Sequence, residues 1–111
     1  MRSDSIDLAI TDCLLAIAQE LQQLDLWQQT PPAASDLASQ QPFCVDTLTF
    51  QQWLQFVLLP QVQQLIDAGQ PLPAAAAIAP MAEESFRHQA IPAAVLVNRL
   101  RELDRLISDN P

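Results

Sequence analysis

The chain has 111 residues and a mass of 12.3 kDa, which predicts a single domain over residues 1–111 with a core of its own. Thirteen acidic residues stand against five arginines and no lysine, so the formal net charge is −8 at pH 7. This charge argues against direct binding of nucleic acid or of an anionic membrane. It is typical of a solvated acidic surface, with attraction of a basic protein partner as the alternative. One glycine and no tyrosine favour helices over tight hairpins.

The sequence contains two cysteines, Cys13 and Cys44. Residues 1–5 lead into an amphipathic pattern and not into the apolar run of a signal peptide, so we expect a cytoplasmic, reducing environment. The stretch 47–64 is interrupted by glutamines and is not expected to cross a membrane. Cys13 lies on an apolar helix face, which favours a buried thiol over a redox role. The sequence leaves open whether the two cysteines lie close together.

Apolar residues spaced three and four apart predict a first helix over about residues 5–28. Ser3 or Ser5 is placed to cap its start, and Trp27 lies near its end. The prolines at 31 and 32 are expected to stop the helix, and residues 30–42 read as a polar, mobile loop. The predicted buried stripe consists of Ile6, Ile10, Cys13, Leu14, Ile17, Leu21 and Leu24.

A second helix is predicted from about residue 50 to residue 68. Thr49 and Gln52 form a candidate capping box, Asp46 and Thr47 being other possible caps, and Gly69 suits the position just after the last turn. Pro60 is expected to kink this helix. One face carries Phe50, Trp53, Leu54, Val57 and Leu58, and the opposite face carries Gln51, Gln52 and Gln55. Because so much of its circumference is apolar, the helix is predicted to be central.

Two shorter helices follow. The third is predicted from about Pro80 to Gln89, with Glu83 and Glu84 near its positively polarised start. The run of alanines at 74–77 is too short to assign to helix or extended chain. The fourth helix is predicted from Pro92 to Ser108; its buried residues are Leu96, Leu100, Leu103 and Ile107, and its solvent side carries Arg99, Arg101, Glu102, Asp104 and Arg105. The predicted fold is all-α, an irregular bundle of about four helices with a kinked central helix.

Four stretches of the chain resemble the YqcC-like family of small bacterial proteins, which have no assigned function. They are PFCVDTL at 42–48, QWLQFVLLP at 52–60, PLP at 71–73 and AIAPMAEE at 77–84. The resemblance implies an all-helical fold and brings no catalytic residues with it. Because members of this family tend to be encoded beside a tRNA pseudouridine synthase, it also implies an accessory role in tRNA modification.

A search for chemistry finds one metal candidate, formed by Glu83, Glu84 and His88. Glu84 and His88 are four residues apart and share a helix face, but the other helices offer no matching Glu and His set, so a surface ion pair is the favoured reading. With one histidine, no lysine and no glycine-rich loop, no nucleophilic or phosphate-binding motif is present. We therefore predict neither an enzyme nor a cofactor, with a small-molecule or metal-binding enzyme kept as the weakest alternative.

The leading hypothesis is a non-catalytic interaction module that acts as an adaptor or accessory protein. Phe56 and Leu59 fit neither apolar stripe of the second helix, and Phe43 lies just before it. These residues, with Glu83 and Glu84 to attract a basic partner, form the predicted binding surface. For the apolar side chains, the sequence favours the simpler interpretation that the segment 72–78 or the third helix covers them. The partner is unknown, with a tRNA pseudouridine synthase as one candidate, and the chain is expected to be a monomer or a homodimer.

Overall fold

The computed structural model describes residues 3–72 and 77–109, and its regular elements in these ranges are all helical. The predicted all-α fold is confirmed. We label the helices α1 (Asp4–Gln23), α2 (Ala34–Leu37), α3, α4 (Ile78–His88) and α5 (Ala94–Asp109). Helix α3 is continuous and has three parts, Phe50–Trp53, a π-helical turn Leu54–Leu58 and Leu59–Asp67. None of the described helices is long and apolar enough to cross a membrane.

Helix α1 begins where the sequence predicts and ends earlier. The Ser3 side chain accepts a hydrogen bond from the amide of Ile6, which caps the first turn. The helix ends at Gln23, and Asp25 then adopts a left-handed backbone with φ 59°. The amide of Leu26 donates to the carbonyl of Leu21 at 2.8 Å, which closes a Schellman motif. The predicted end near residue 28 was therefore wrong, because the turn at Asp25 stops the helix before the prolines.

Residues 30–49 contain more helical structure than a polar loop would. A single turn, α2, is followed by a 3-10 turn at Pro42–Cys44. Two hydroxyl groups join this segment together: Thr47 Oγ1 donates to the carbonyl of Asp36 at 2.7 Å, and Ser39 Oγ donates to the Asp46 carboxylate at 2.5 Å. Neither turn shows an apolar stripe, so the sequence pattern did not predict them. The mobility predicted for residues 30–42 stays a prediction.

The capping box at the start of α3 is confirmed. Thr49 Oγ1 accepts from the amide of Gln52, and the Gln52 side chain accepts from the amide of Thr49 at 2.8 Å. The end of the helix is confirmed too, because Gly69 has φ 64° and the amide of Gln70 donates to the carbonyl of Leu65.

The irregular turn of α3 lies just before Pro60. Proline has no amide hydrogen, and the Leu59 amide bonds to the carbonyl of Leu54, five residues back, in a π-helical turn. The wider turn changes which side chains point inward. Gln55, predicted on the solvent face, is 7% exposed. That prediction was wrong because it assumed a regular α-helix with 3.6 residues per turn throughout.

Helix α4 begins two residues before the predicted start at Pro80. The amides of Ile78 and Ala79 donate to the two carboxylate oxygens of Asp104, on α5, at 3.0 and 2.8 Å. Asp104 was predicted to face solvent and is instead half-buried as the cap of α4. Glu83 and Glu84 consequently lie beyond the first turn. The alanine run was left unassigned, and residues 74–76 of it lie outside the described residues.

Helix α5 joins α1 to α4. It packs along α1 on one side and along α4 on the other, while α3 contacts α1 and α4 through its two ends. Helices α3 and α5 therefore both bridge α1 and α4, and α3 shares its predicted central position with α5. The predicted inward residues of α5, Leu96, Leu100, Leu103 and Ile107, are all buried. The apolar stripe of α1 packs into the same core, with Ile6 and Leu24 at its edges.

Candidate interaction site

Four aromatic rings meet where the turn at Pro42–Cys44 contacts α3 and α4. The ring centroids of Phe43 and Trp53 lie 4.8 Å apart in an edge-to-face arrangement, and those of Phe43 and Phe50 lie 5.9 Å apart. Phe50 in turn meets Phe86 of α4 edge to face at 5.8 Å. Such ring pairs stabilise beyond the area that they bury. This aromatic cluster attaches the turn to the helices.

A cleft of about 220 Å³ opens beside the aromatic cluster, between the turn and α4. We call it the aromatic cleft; it is lined by Phe43, Val45, Leu48, Thr49, Phe50, Met81, Ser85 and Gln89. Val45 is 65% exposed and is the most exposed large apolar side chain among the described residues. The volume is below the range of about 300–1,000 Å³ for small-molecule pockets. The cleft therefore has room for about one apolar side chain.

The backbone at the wall of the aromatic cleft is unusual. Phe43 and Cys44 both adopt left-handed conformations, with φ 58° and 49°. For residues that carry a Cβ atom, each such conformation costs about 1 kcal/mol or more. The ring contacts of Phe43 and the burial of Cys44 hold this turn in place. This backbone conformation places the Phe43 ring against Phe50 and Trp53, at the wall of the aromatic cleft.

Hydrogen-bonded amides fix the other end of the aromatic cleft. The side chains of Gln51 and Gln89 exchange two hydrogen bonds, of 2.9 and 3.1 Å, and so join α3 to the end of α4. Gln89 also donates to the hydroxyl of Ser85 at 3.1 Å. A polar rim beside an apolar floor is typical of protein-binding surfaces.

A second, open groove of about 470 Å³ runs between α4 and α5. Its lining is mixed: it includes the buried Phe86 and Val97, and also an ion pair in which Arg101 Nη2 and Glu83 Oε1 lie 2.8 Å apart. Both side chains are more than half exposed, so the pair adds little to stability. The four described arginines all belong to α4 and α5.

The structure separates the five residues predicted to form one binding surface. Phe43 lies at the aromatic cleft, and Glu83 lies in the groove on the other side of α4. Leu59 is half-buried against the core, and Phe56 is half-buried as well. Glu84 lies on the exposed face of α4. Their role in binding stays a prediction, but they do not surround a single cavity.

The Glu84–His88 pair has the geometry of a surface contact. His88 Nε2 is 3.0 Å from Glu84 Oε1, and Arg87 donates to the other oxygen at 2.6 Å. The hydrogen bond from His88 and the charge of Arg87 lower the pKa of the Glu84 carboxyl. Among the described residues, no three His, Cys, Asp or Glu side chains are grouped as a metal site would require.

Neither cysteine forms a disulfide. Cys13 is buried between α1 and α5, where its thiol donates to the carbonyl of Arg99 at 3.3 Å. Burial, with a smaller contribution from the charge of Glu102, raises the pKa of this thiol to about 11. A thiol that stays protonated near neutral pH is a poor nucleophile, so the predicted role as a small buried hydrophobe fits the structure.

Comparison with known proteins places this fold and its sequence in one family. Residues 9–106 match the DUF446 family, described as tRNA pseudouridine synthase C. The chain is 35% identical to the uncharacterized protein YqcC of Escherichia coli over 97 residues, which are 87% of this chain and 89% of that one. The solution NMR structure of E. coli YqcC superimposes with a TM-score of 0.83, covering 96% of this chain and 91% of that one at 32% identity. The chain belongs to the YqcC-like family.

Two further relatives match over shorter stretches. An uncharacterized protein of Haemophilus influenzae is 45% identical over 67 residues, which are 60% of this chain and 63% of that protein. A protein of Pectobacterium carotovorum subsp. carotovorum named tRNA pseudouridine synthase C is 34% identical over 64 residues. Those residues are 58% of this chain and only 17% of the Pectobacterium protein, so most of that protein lies outside the match.

Proposed function

We propose that this chain is a non-catalytic interaction module that serves a tRNA pseudouridine synthase as an accessory protein. The observation that carries the proposal is the Pectobacterium protein, which bears the name of a synthase and contains a segment similar to this chain. When a module is part of an enzyme in one organism and a separate chain in another, physical association of the two separate chains is the simplest explanation.

The chemistry of the described residues supports an accessory role over a catalytic one. The only histidine is exposed and hydrogen-bonded to Glu84, and the Cys13 thiol is buried and protonated. Nucleophilic catalysis needs an activated side chain next to a base, and neither residue is placed for that. The net charge of −8 opposes direct contact with tRNA. We propose that the module acts on the synthase protein and not on the RNA, and that it does so in the cytoplasm, where its thiols stay reduced.

The aromatic cleft is the proposed contact for an apolar side chain of the synthase. Val45 at its mouth is mostly exposed, so Val45→Asp is expected to leave the fold intact while placing a charge where the partner side chain enters. We expect this variant to bind the synthase at least tenfold more weakly, because a desolvated, unpaired carboxylate opposes burial.

The test is co-purification with the tRNA pseudouridine synthase C of the same organism, alongside a different pseudouridine synthase as a specificity control. We expect the chain to co-elute with the first enzyme and not with the second. Deletion of its gene is expected to lower pseudouridine at the sites that this synthase modifies, and the wild-type gene is expected to restore it. Separate elution together with unchanged pseudouridine levels would refute the proposal.

A further inference from the structure

Helix α1 presents two large apolar side chains to solvent on the face opposite the core. Leu8 is 63% exposed and Leu15 is 58% exposed. They are seven residues apart, which places them on one line along the helix at a separation of about 10 Å. We call the exposed face that contains Leu8, Asp12 and Leu15 the leucine stripe. Core residues such as Ile10 and Ile17 lie on the other side of the helix, so the leucine stripe contributes little to the fold.

Two exposed leucines one heptad apart have the spacing at which one helix packs along another. Asp12 lies between them and is exposed. When such a face is covered, the carboxylate loses its water, and this is unfavourable unless a cation of the partner replaces it. The leucine stripe therefore requires a partner with apolar groups spaced along a helix and a Lys or Arg side chain between them.

The surrounding charge points to the same kind of partner. Helix α1 itself carries four acidic side chains, Asp4, Asp7, Asp12 and Glu20, and no Lys, Arg or His. A field of one sign steers an oppositely charged partner toward this part of the molecule. It also opposes a second copy of this chain, because a symmetric contact through the leucine stripe would bring Asp12 near its own counterpart.

We propose that the leucine stripe is a docking face for a basic amphipathic helix of the synthase. The proposal rests on the proposed function for the identity of the partner, and it assigns to α1 a contact surface distinct from the aromatic cleft. Because apolar contact and charge pairing both contribute, binding is expected to weaken when either is removed and when the salt concentration rises.

The test measures binding of the full-length chain to the purified synthase by calorimetry. A double variant, Leu8→Ala with Leu15→Ala, removes the apolar contact, and Asp12→Lys reverses the central charge. Each is expected to raise the Kd by about tenfold or more. Val95→Ala is the matched control, since Val95 is 50% exposed but lies on α5, and its Kd is expected to stay within about twofold of the wild type. Circular dichroism and thermal unfolding verify that all variants fold.

The possible outcomes distinguish failure of the proposed function from failure of the leucine-stripe proposal. If the wild-type chain does not bind the synthase, the proposed function fails and this proposal fails with it. If the wild type binds and the leucine-stripe variants bind equally well, only this proposal is overturned. Sedimentation of the chain alone is the second measurement: a homodimer that the double leucine variant dissociates would show that a second copy covers the leucine stripe, and this too would overturn the proposal.

Discussion

The side chain of Gln55 forms two hydrogen bonds with the backbone of Gln28. It accepts from the Gln28 amide at 2.9 Å and donates to the Gln28 carbonyl at 2.7 Å. This contact attaches the segment after α1 to the π-helical turn of α3, and it explains how a buried amide is tolerated. Pro60, the π-helical turn and the inward position of Gln55 thus belong to one local arrangement.

Gln55→Ala is expected to destabilise the protein by about 1–3 kcal/mol, because it removes both bonds and leaves the part-buried groups of Gln28 without this partner. The free energy of unfolding is measured by urea denaturation. Gln64→Ala, at an exposed position of the same helix, is the control and is expected to change stability by less than about 0.5 kcal/mol. Equal midpoints for the two variants would contradict the role assigned to Gln55.

Asp104 is expected to stabilise α4 as an N-terminal cap supplied by another helix. Asp104→Ala removes both acceptors from the amides of Ile78 and Ala79, and about 1–2 kcal/mol of stability should be lost. Asp104→Asn keeps one acceptor and should lie between the wild type and the Ala variant. The exposed Glu102→Ala on the same helix is the comparison. If Asp104→Ala unfolds at the same urea concentration as Glu102→Ala, the cap has no energetic role.

The buried thiol of Cys13 predicts a loss of stability in alkaline solution. Its pKa is raised from 9.0 to about 11 in the folded protein, so the unfolded chain releases this proton at a lower pH than the native protein does. The stabilising contribution is therefore complete below about pH 9 and is lost as the pH rises toward about 11. No Lys or Tyr side chain contributes to the change of stability in this pH range, because the sequence contains neither residue.

Stability measured across that pH range should fall for the wild type and for Cys44→Ala, but it should change much less for Cys13→Ala. Since the Ala variant also loses packing, the slope against pH is compared and not the absolute stability. Parallel slopes for all three proteins would show that Cys13 is not the group responsible.

Glu84 and His88 are expected to contribute nothing measurable as a metal site. Both are mostly exposed, and Arg87 already occupies one carboxylate oxygen of Glu84. Addition of Zn²⁺ should leave the thermal unfolding midpoint of the wild type and of His88→Ala unchanged within error. A rise in midpoint with Zn²⁺ that His88→Ala abolishes would instead support the metal-site reading.

Of the three Schellman motifs in the part of the chain that the structure describes, the sequence predicted one. Helices α1, α3 and α4 all end with a left-handed residue, at Asp25, Gly69 and Ala90. Only Gly69 was recognised, because glycine alone adopts this conformation without a steric penalty. At Asp25 and Ala90 the packing of the following residue, Leu26 or Ile91, against the core stabilises the turn. A local pattern cannot reveal a conformation that a distant contact stabilises.

The candidate binding surfaces, too, depend on contacts that the sequence pattern did not predict. The position of Phe43 before α3 suggested a binding role, but the aromatic cleft itself is lined by residues that are far apart in the sequence, from Phe43 in the turn to Gln89 at the end of α4. Leu8 and Leu15 are recognised as exposed only from the structure, because the sequence pattern of a helix does not show whether a given leucine faces solvent or another part of the protein. The separation of Glu83 from Phe43 likewise follows from the packing of α5 on one side of α4.

The sequence by itself determined the helical class, the buried stripes of α1 and α5, the capping box at Thr49 and the family, because each depends on residues close together along the chain. Tertiary structure decided the Asp104 cap, the Gln55–Gln28 contact, the pKa of Cys13 and the two proposed docking surfaces. These depend on groups that are far apart in sequence, and their energies arise from desolvation and pairing that exist only once the helices have packed.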